Sequence, residues 1–301
     1  MQIFTPRIAT LLALVAALLL PACGGQSADQ ATPQSGAPED GPRIAALSPA
    51  LAIILDDLAL ADRIVARHAF DDYTDQAIPV AGDQSGVDYE LLGRAEPTHV
   101  LLEWGARDLP ARLAKLAEAR NWTVVDYPML TLQDIRAATI DLGARFDAAD
   151  RAAELVAHMD DAWSPVPGLA ERAGRTLPLY WTNPPGAAGP GSFHHQLLDR
   201  LAVTLALDEG APYIEFDPED LRRLDPDTIV LFAPNADPDD LAEILSPLRR
   251  LRLRAVEGGR VILINHPWCQ TPSTAMIEVA EQTAAALQQL EPSRPRERSG
   301  G

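Results

Sequence analysis

The chain has 301 residues, 43 of them acidic and 25 basic, for a formal net charge of -18. Binding to a nucleic-acid backbone draws on clustered Lys and Arg that displace counterions, so this balance excludes nucleic acid as a partner and reads as a solvated acidic surface. Only two cysteines are present, too few for a disulfide framework, and stability has to come from a buried core.

In chain order, the first feature is Arg7 and the apolar run from Ile8 to Leu20, closed by Pro21, Ala22, Cys23 and two glycines. The run falls short of the roughly 20 apolar residues that span a bilayer and fits an export signal over residues 1–22. Leu20-Pro21-Ala22-Cys23 resembles the lipobox of bacterial lipoproteins, which implies cleavage before Cys23 and its acylation. With each buried methylene contributing about 0.8 kcal/mol, several acyl chains would anchor the protein to the membrane permanently. The alternative is an ordinary secreted protein whose signal happens to hold a cysteine. With Cys23 spent on the membrane, Cys269 stands alone. Residues 23–42, rich in Gly, Ser, Pro and Gln, read as a flexible tether. The expected location is periplasmic or at the cell surface, lipid-anchored through Cys23.

From Arg43 onward, short apolar runs alternate with helical patterns: strands are predicted at 43–47, 63–67, 99–104, 122–127, 177–181, 228–233 and 260–265. Strand and helix in turn imply βαβ units, hence an α/β fold with mostly parallel sheets. Between Leu132 and Gly174 the pattern gives helix and no strand, and its later part, Asp147 to Trp163, predicts one long α-helix joining two Rossmann-like lobes. Pro165 and Pro167 interrupt it. The resulting organisation is an N-terminal lobe at 43–146, the linking helix at 147–175, a C-terminal lobe at 176–290 and a disordered tail at 291–301.

An internal echo supports two similar lobes. Asp88, Glu90 and Pro97 recur as Asp217, Glu219 and Pro226, each pair 129 residues apart. Each aspartate is placed to cap a helix, each glutamate to sit in the first turn where the helix dipole favours an anion, and each proline to end the helix before a strand.

These features together resemble the substrate-binding proteins of bacterial ABC importers, of the cobalamin and iron-siderophore type, over nearly the whole mature chain. The opening "RIAALSPALAIILDDLALADRIVARHAFDDY" resembles the family's strand, Ser-Pro helix start and second strand, with Ser48 as cap and Pro49 at the first helical position. "VDYELLGRAEPTHVLLEW", "TNPPGAAGPGSFHHQLLDRLA" and "VEGGRVILIN" resemble further segments. The resemblance implies two lobes closing modestly on a metal chelate, with a corrinoid such as cobalamin favoured over a ferric siderophore or haem. It also implies that Glu90 and Glu219 dock, one per lobe, on the two subunits of an importer permease. A monomer is expected.

Open α/β sheets bind ligands at the carboxyl ends of their strands. The candidates there are His68, Phe70 and Tyr73 after the second predicted strand and Trp104 after the third. In the second half they are Trp181, Asn183, Phe193, His194, Tyr213, His266 and Trp268. Aromatic faces suit a large planar ligand; packing at a strand end is the competing reading for each. The cationic residues nearest these positions are Arg67 and Arg107. The His and Cys spacing supports no structural metal site, no resident cofactor is expected, and no catalytic motif is present, so an enzyme is not expected. A bare-metal binder or a surface lipoprotein contacting only proteins stays open.

Overall fold

The computed structural model describes residues 41–83, 85–105 and 108–293. The export signal, Cys23, nearly all of the tether, Arg107 and most of the tail lie outside the described residues. Among the described residues, no helix is long and apolar enough to cross a membrane.

The first sheet is built from β1 (Ile44–Leu47), β2 (Ile64–His68), β3 (Val80–Asp83), β4 (Gly86–Val87), β5 (His99–Leu102) and β6 (Thr123–Asp126). Its helices are α1 (Pro49–Asp57), α2 (Tyr89–Ala95), α3 (Ala111–Arg120) and α4 (Leu132–Arg145). Strand order is β4-β3-β2-β1-β5-β6, parallel except for the β3–β4 pair. From β1 the chain steps outward through β2 to β3 and then crosses to β5 on the other side, which makes the carboxyl end of β1 the switch point of the sheet.

Two helices follow without a strand, α5 (Ala149–Ala162) and α6 (Leu169–Ala173). Asp147, with φ of 59°, turns the chain out of α4 before α5 begins. Pro165 and Pro167 fall between α5 and α6, so the linking segment is a 14-residue rod followed by a short turn of helix. At 1.5 Å per residue α5 is about 21 Å long.

The second sheet holds β7 (Thr176–Thr182), β8 (Pro185–Ala188), β9 (Tyr213–Glu215), β10 (Thr228–Phe232) and β11 (Val261–Ile264). Around it run α7 (Phe193–Arg200), α8 (Pro218–Leu224), α9 (Leu241–Ile244), α10 (Ser246–Arg249), α11 (Arg254–Glu257) and α12 (Met276–Gln288). The order is β11-β10-β7-β8-β9, with β7, β10 and β11 parallel and β7, β8 and β9 antiparallel. Seven strands sit where sequence patterning predicts them. The short strands β3, β4, β8 and β9 do not follow from it, and β8 begins at the second proline of the Asn-Pro-Pro stretch.

The echo has a structural counterpart. Asp88 accepts from the N–H groups of Glu90 and Leu91 at the start of α2, and Asp217 from those of Glu219 and Asp220 at the start of α8. Both helices end in a left-handed residue, Glu96 and Asp225. Ser48 caps α1 through the Leu51 N–H with Pro49 at its first position.

One buried apolar cluster runs through both sheets by way of α4, α5 and α12. It takes in Ile44 and Leu55, Ile135 and Leu142, Met159 and Trp163, then Phe232 and Met276. The Trp163 Nε1–H donates to the Met276 carbonyl at 3.1 Å. Further ties across the seam join Thr274 Oγ1–H to the Asp57 carboxylate and the Leu132 N–H to Gln196 Oε1 at 3.0 Å.

Candidate functional site

The Tyr73 and Trp268 rings meet edge to face at 5.5 Å. Tyr73 follows β2 and Trp268 follows β11, so the two sheets meet at residues just beyond their carboxyl ends. The Tyr73 hydroxyl donates to Asp56 Oδ2 at 2.6 Å, which with burial pushes its ionisation well above the usual range.

At the switch point of the first sheet lies a hollow that is open to solvent. Leu47, His68, Gly82, Asp83, Gly86, Val87, Leu102, Glu103 and Trp104 line it, drawn from the ends of β1, β2, β3 and β5 and from β4. His68 is only 9% exposed. Burial lowers its pKa, against the pull of Asp83 and Asp71, which favours the neutral imidazole. Its Nδ1 accepts the Phe70 N–H at 3.1 Å, so the ring proton sits on Nε2. Asp83 is held below the usual carboxylate range, first by the Ser85 N–H and then by that of Gly86.

Glu103 accepts the Ser48 hydroxyl at 2.7 Å, which links the cap of α1 to the hollow. Glu103 is exposed as a residue, yet the protein around its carboxyl partly desolvates it. That desolvation raises its pKa, the Ser48 bond opposes the shift and Asp126 adds to it. Trp104 is pinned by its own N–H to Asp126 Oδ1 at 2.6 Å and by Nε1–H to the Asp108 carbonyl at 3.1 Å. Glu103 and Asp83 were not singled out from sequence. Glu103 carried a signal: a charged residue directly after the buried end of a parallel strand.

On the second-sheet side, Trp181 and Tyr213 are half-exposed, at 50% and 47%. Tyr213 stacks on Tyr180 at 6.4 Å. Gly186 pairs with Trp181 across the ladder, and a Cβ there would come within 2.7 Å of the Trp181 ring and 2.6 Å of the Tyr213 hydroxyl. Its lack of a side chain lets both rings lie close over β8. Asn183 is exposed beside them, and Phe70, 59% exposed, stands near His68 at 5.5 Å. His266 accepts the Trp268 N–H at Nδ1 and reaches Glu278 through Nε2 at 3.2 Å.

Two expected ligand contacts are corrected. His194 is fully buried, with Nε2 against the Cys269 carbonyl at 2.5 Å and Nδ1 against the Tyr180 hydroxyl at 2.8 Å. A carbonyl only accepts, so Nε2 carries the proton and Tyr180 donates to Nδ1. Both ring nitrogens are used, and burial lowers the pKa to about 3. Phe193, 9% exposed, belongs to the shared core. Both lie on the apolar face of α7 with Leu197 and Leu198. Arg67 is also structural: it is buried and donates to the carbonyls of Ile78, His68 and Asp71. Cys269 is buried, its thiol pushed up to about 12 by burial. Among the described residues, no group of three or more His, Cys, Asp or Glu is placed to hold a metal ion.

The site residues thus form three groupings: His68 and Trp104 in the first-sheet hollow, Tyr73 with Trp268 and His266 at the seam, and Trp181 with Tyr213 on the second sheet. Glu90 and Glu219 stand elsewhere, exposed in the first turns of α2 and α8, with Glu90 paired to Arg94.

The sequence profile of the periplasmic binding protein family matches residues 44–267. No curated protein matches the chain significantly in sequence. Among solved structures, the periplasmic vitamin B12 binding protein of Vibrio cholerae superposes with a TM-score of 0.63 at 20% identity, covering 82% of this chain and 97% of that one. An ABC-type Fe3+-hydroxamate transport protein from Saccharomonospora viridis gives 0.61 at 25% identity, over 82% and 93%. A periplasmic heme binding protein from Pseudomonas aeruginosa gives 0.66 at 17% identity, over 84% and 95%.

Proposed function

The chain belongs to the periplasmic binding protein family, and from that premise we propose that it is the solute-binding component of an ABC importer. It captures a metal chelate, a corrinoid such as cobalamin, in the gap between the carboxyl ends of its sheets. The observation that carries this reading is the first-sheet hollow, where an indole and a buried neutral imidazole share one switch-point cavity. The exposed rings of Trp181 and Tyr213 supply further flat apolar surface, which suits a large planar guest. Asn183, Phe70, His266 and Trp268 stand at the same strand ends.

The names of the similar structures, for vitamin B12, a ferric hydroxamate and heme, agree with a metal chelate as the class. Charge favours the corrinoid or a hydroxamate over an anionic ligand. Asp83 and Glu103 line the hollow, and the guanidinium of Arg67 is consumed by backbone carbonyls.

Delivery follows through Glu90 and Glu219. Two matching capped helices offer one exposed carboxylate each to the two permease subunits, and exposed ion pairs of about 0–1 kcal/mol each would orient docking rather than hold it. The acylated Cys23 keeps the protein at the membrane. The test is the absorption spectrum of protein purified from its own host, followed by calorimetry with cyanocobalamin, a ferric hydroxamate and haemin. A coloured protein that binds cyanocobalamin most tightly is expected. A colourless protein that binds none of the three would overturn the reading.

A further inference from the structure

Among the described residues, the polar groups of the first-sheet hollow are not all paired. His68 is nine-tenths buried and lines that hollow. Its Nδ1 is occupied by the Phe70 N–H, so its Nε2 carries a hydrogen that meets no acceptor among the described residues. Glu103 shares the hollow and uses Oε2 on Ser48; its Oε1 receives no donor among the described residues. Asp83 adds a second carboxylate, oriented by the N–H groups of Ser85 and Gly86. The remaining wall is Leu47, Val87, Leu102 and Trp104. The hollow therefore presents one N–H donor and two carboxyl acceptors framed by apolar side chains.

We infer that this hollow is a subsite for a primary carboxamide on the edge of the captured chelate, its carbonyl accepting from His68 Nε2 and its NH2 group donating to Glu103 and Asp83. The inference rests on the reading that the cleft captures a metal chelate. Other groups fit worse for stated reasons. A carboxylate has no hydrogen to donate and meets two carboxyl groups of its own sign. An ammonium satisfies the carboxylates but sets a cation against the imidazole N–H. A methyl or ring edge leaves all three groups unpaired. The carboxamide is neutral, planar, and both donates and accepts. A site built around such bonds rejects an analogue lacking them far more strongly than an apolar pocket rejects a size change.

The test compares ligands that differ only in this group. Cyanocobalamin and each of its three monocarboxylates, in which one peripheral propionamide is hydrolysed to the acid, are titrated into the full chain at pH 7.5 by calorimetry. Haemin and its bisamide form a second pair on another scaffold. At least one monocarboxylate is expected to bind ten or more times more weakly than cyanocobalamin, and the haem bisamide more tightly than haemin. The Glu103→Gln and Asp83→Asn double variant should shrink the deficit of that monocarboxylate to under threefold. Because the ligand series uses the unaltered protein, a variant that fails to fold leaves the comparison intact. Monocarboxylates all within threefold of cyanocobalamin would overturn the inference while leaving chelate capture standing. Binding of neither scaffold would overturn chelate capture and the carboxamide subsite together.

Discussion

Acidification tests the placement of His194. The imidazole is fully buried, donates from Nε2 to the Cys269 carbonyl and accepts the Tyr180 hydroxyl. Burial lowers its pKa from 6.5 to about 3. The unfolded chain takes up this proton near the ordinary value, whereas the native state refuses it until about pH 3. The contribution is therefore fully present above the unfolded pKa and is lost as pH falls toward the folded one, at about 1.4 kcal/mol per pH unit. Moving from pH 7 to pH 5 then costs about 2 kcal/mol through this residue. His68 and His99, also lowered mainly by burial, act in the same direction, while Asp57 and Glu103, raised mainly by burial, act against it. The informative quantity is the difference between wild type and His194→Gln in urea unfolding at pH 7 and pH 5. The variant loses stability at both values through altered packing, but its loss between them should be smaller than that of wild type by about 2 kcal/mol. An identical pH dependence would refute the buried, neutral imidazole.

Trp163→Ala removes an indole that is 3% exposed and frees the Met276 carbonyl; a loss of about 3–5 kcal/mol is expected. Guanidinium unfolding followed by circular dichroism and by fluorescence should still give one coincident transition, since one cluster serves both sheets, and two separated transitions would contradict that. Asp88→Ala and Asp217→Ala each delete a cap that receives two N–H groups, for a cost of about 0.5–2 kcal/mol apiece in thermal unfolding. Cyanocobalamin affinity should stay unchanged in both, and a marked loss would place the capped helices in the binding cleft. Exchanging Glu90 and Glu219 together for alanine should slow uptake of labelled cobalamin in cells and leave affinity in solution intact; normal uptake would remove the docking assignment.

Much of the fold is legible because its buried strands are short apolar runs and its helix ends are explicit. Ser48-Pro49 and the two Asp caps state where helices begin, and the structure places them there. The strand β8, by contrast, reads Pro-Gly-Ala-Ala, residues with little strand preference; its ladder is imposed by β7 and β9 on either side and by the rings that lie over Gly186. In the cleft, chain position identifies which residues reach strand ends but not which way they face. His194 shows the limit. Its spacing with Leu197 and Leu198 puts it on an apolar face, and that packing outweighs its place beyond a strand end. Glu103 was hidden for the opposite reason, since it sits inside an otherwise apolar run and its role appears only when Ser48, distant in sequence, is seen to donate to it.

The apolar cluster that both sheets share through α4, α5 and α12 also bears on how such a molecule diversifies. A chimera taking one half from a relative would have to match Trp163, Met276 and their neighbours across the recombination point, so halves are poor units of exchange. Apart from the Tyr73–Trp268 pair, which also meets across the halves, residues at the strand tips have no such obligation. New cargo preferences are thus reached by point replacement at the tips, over a foundation that inheritance keeps whole.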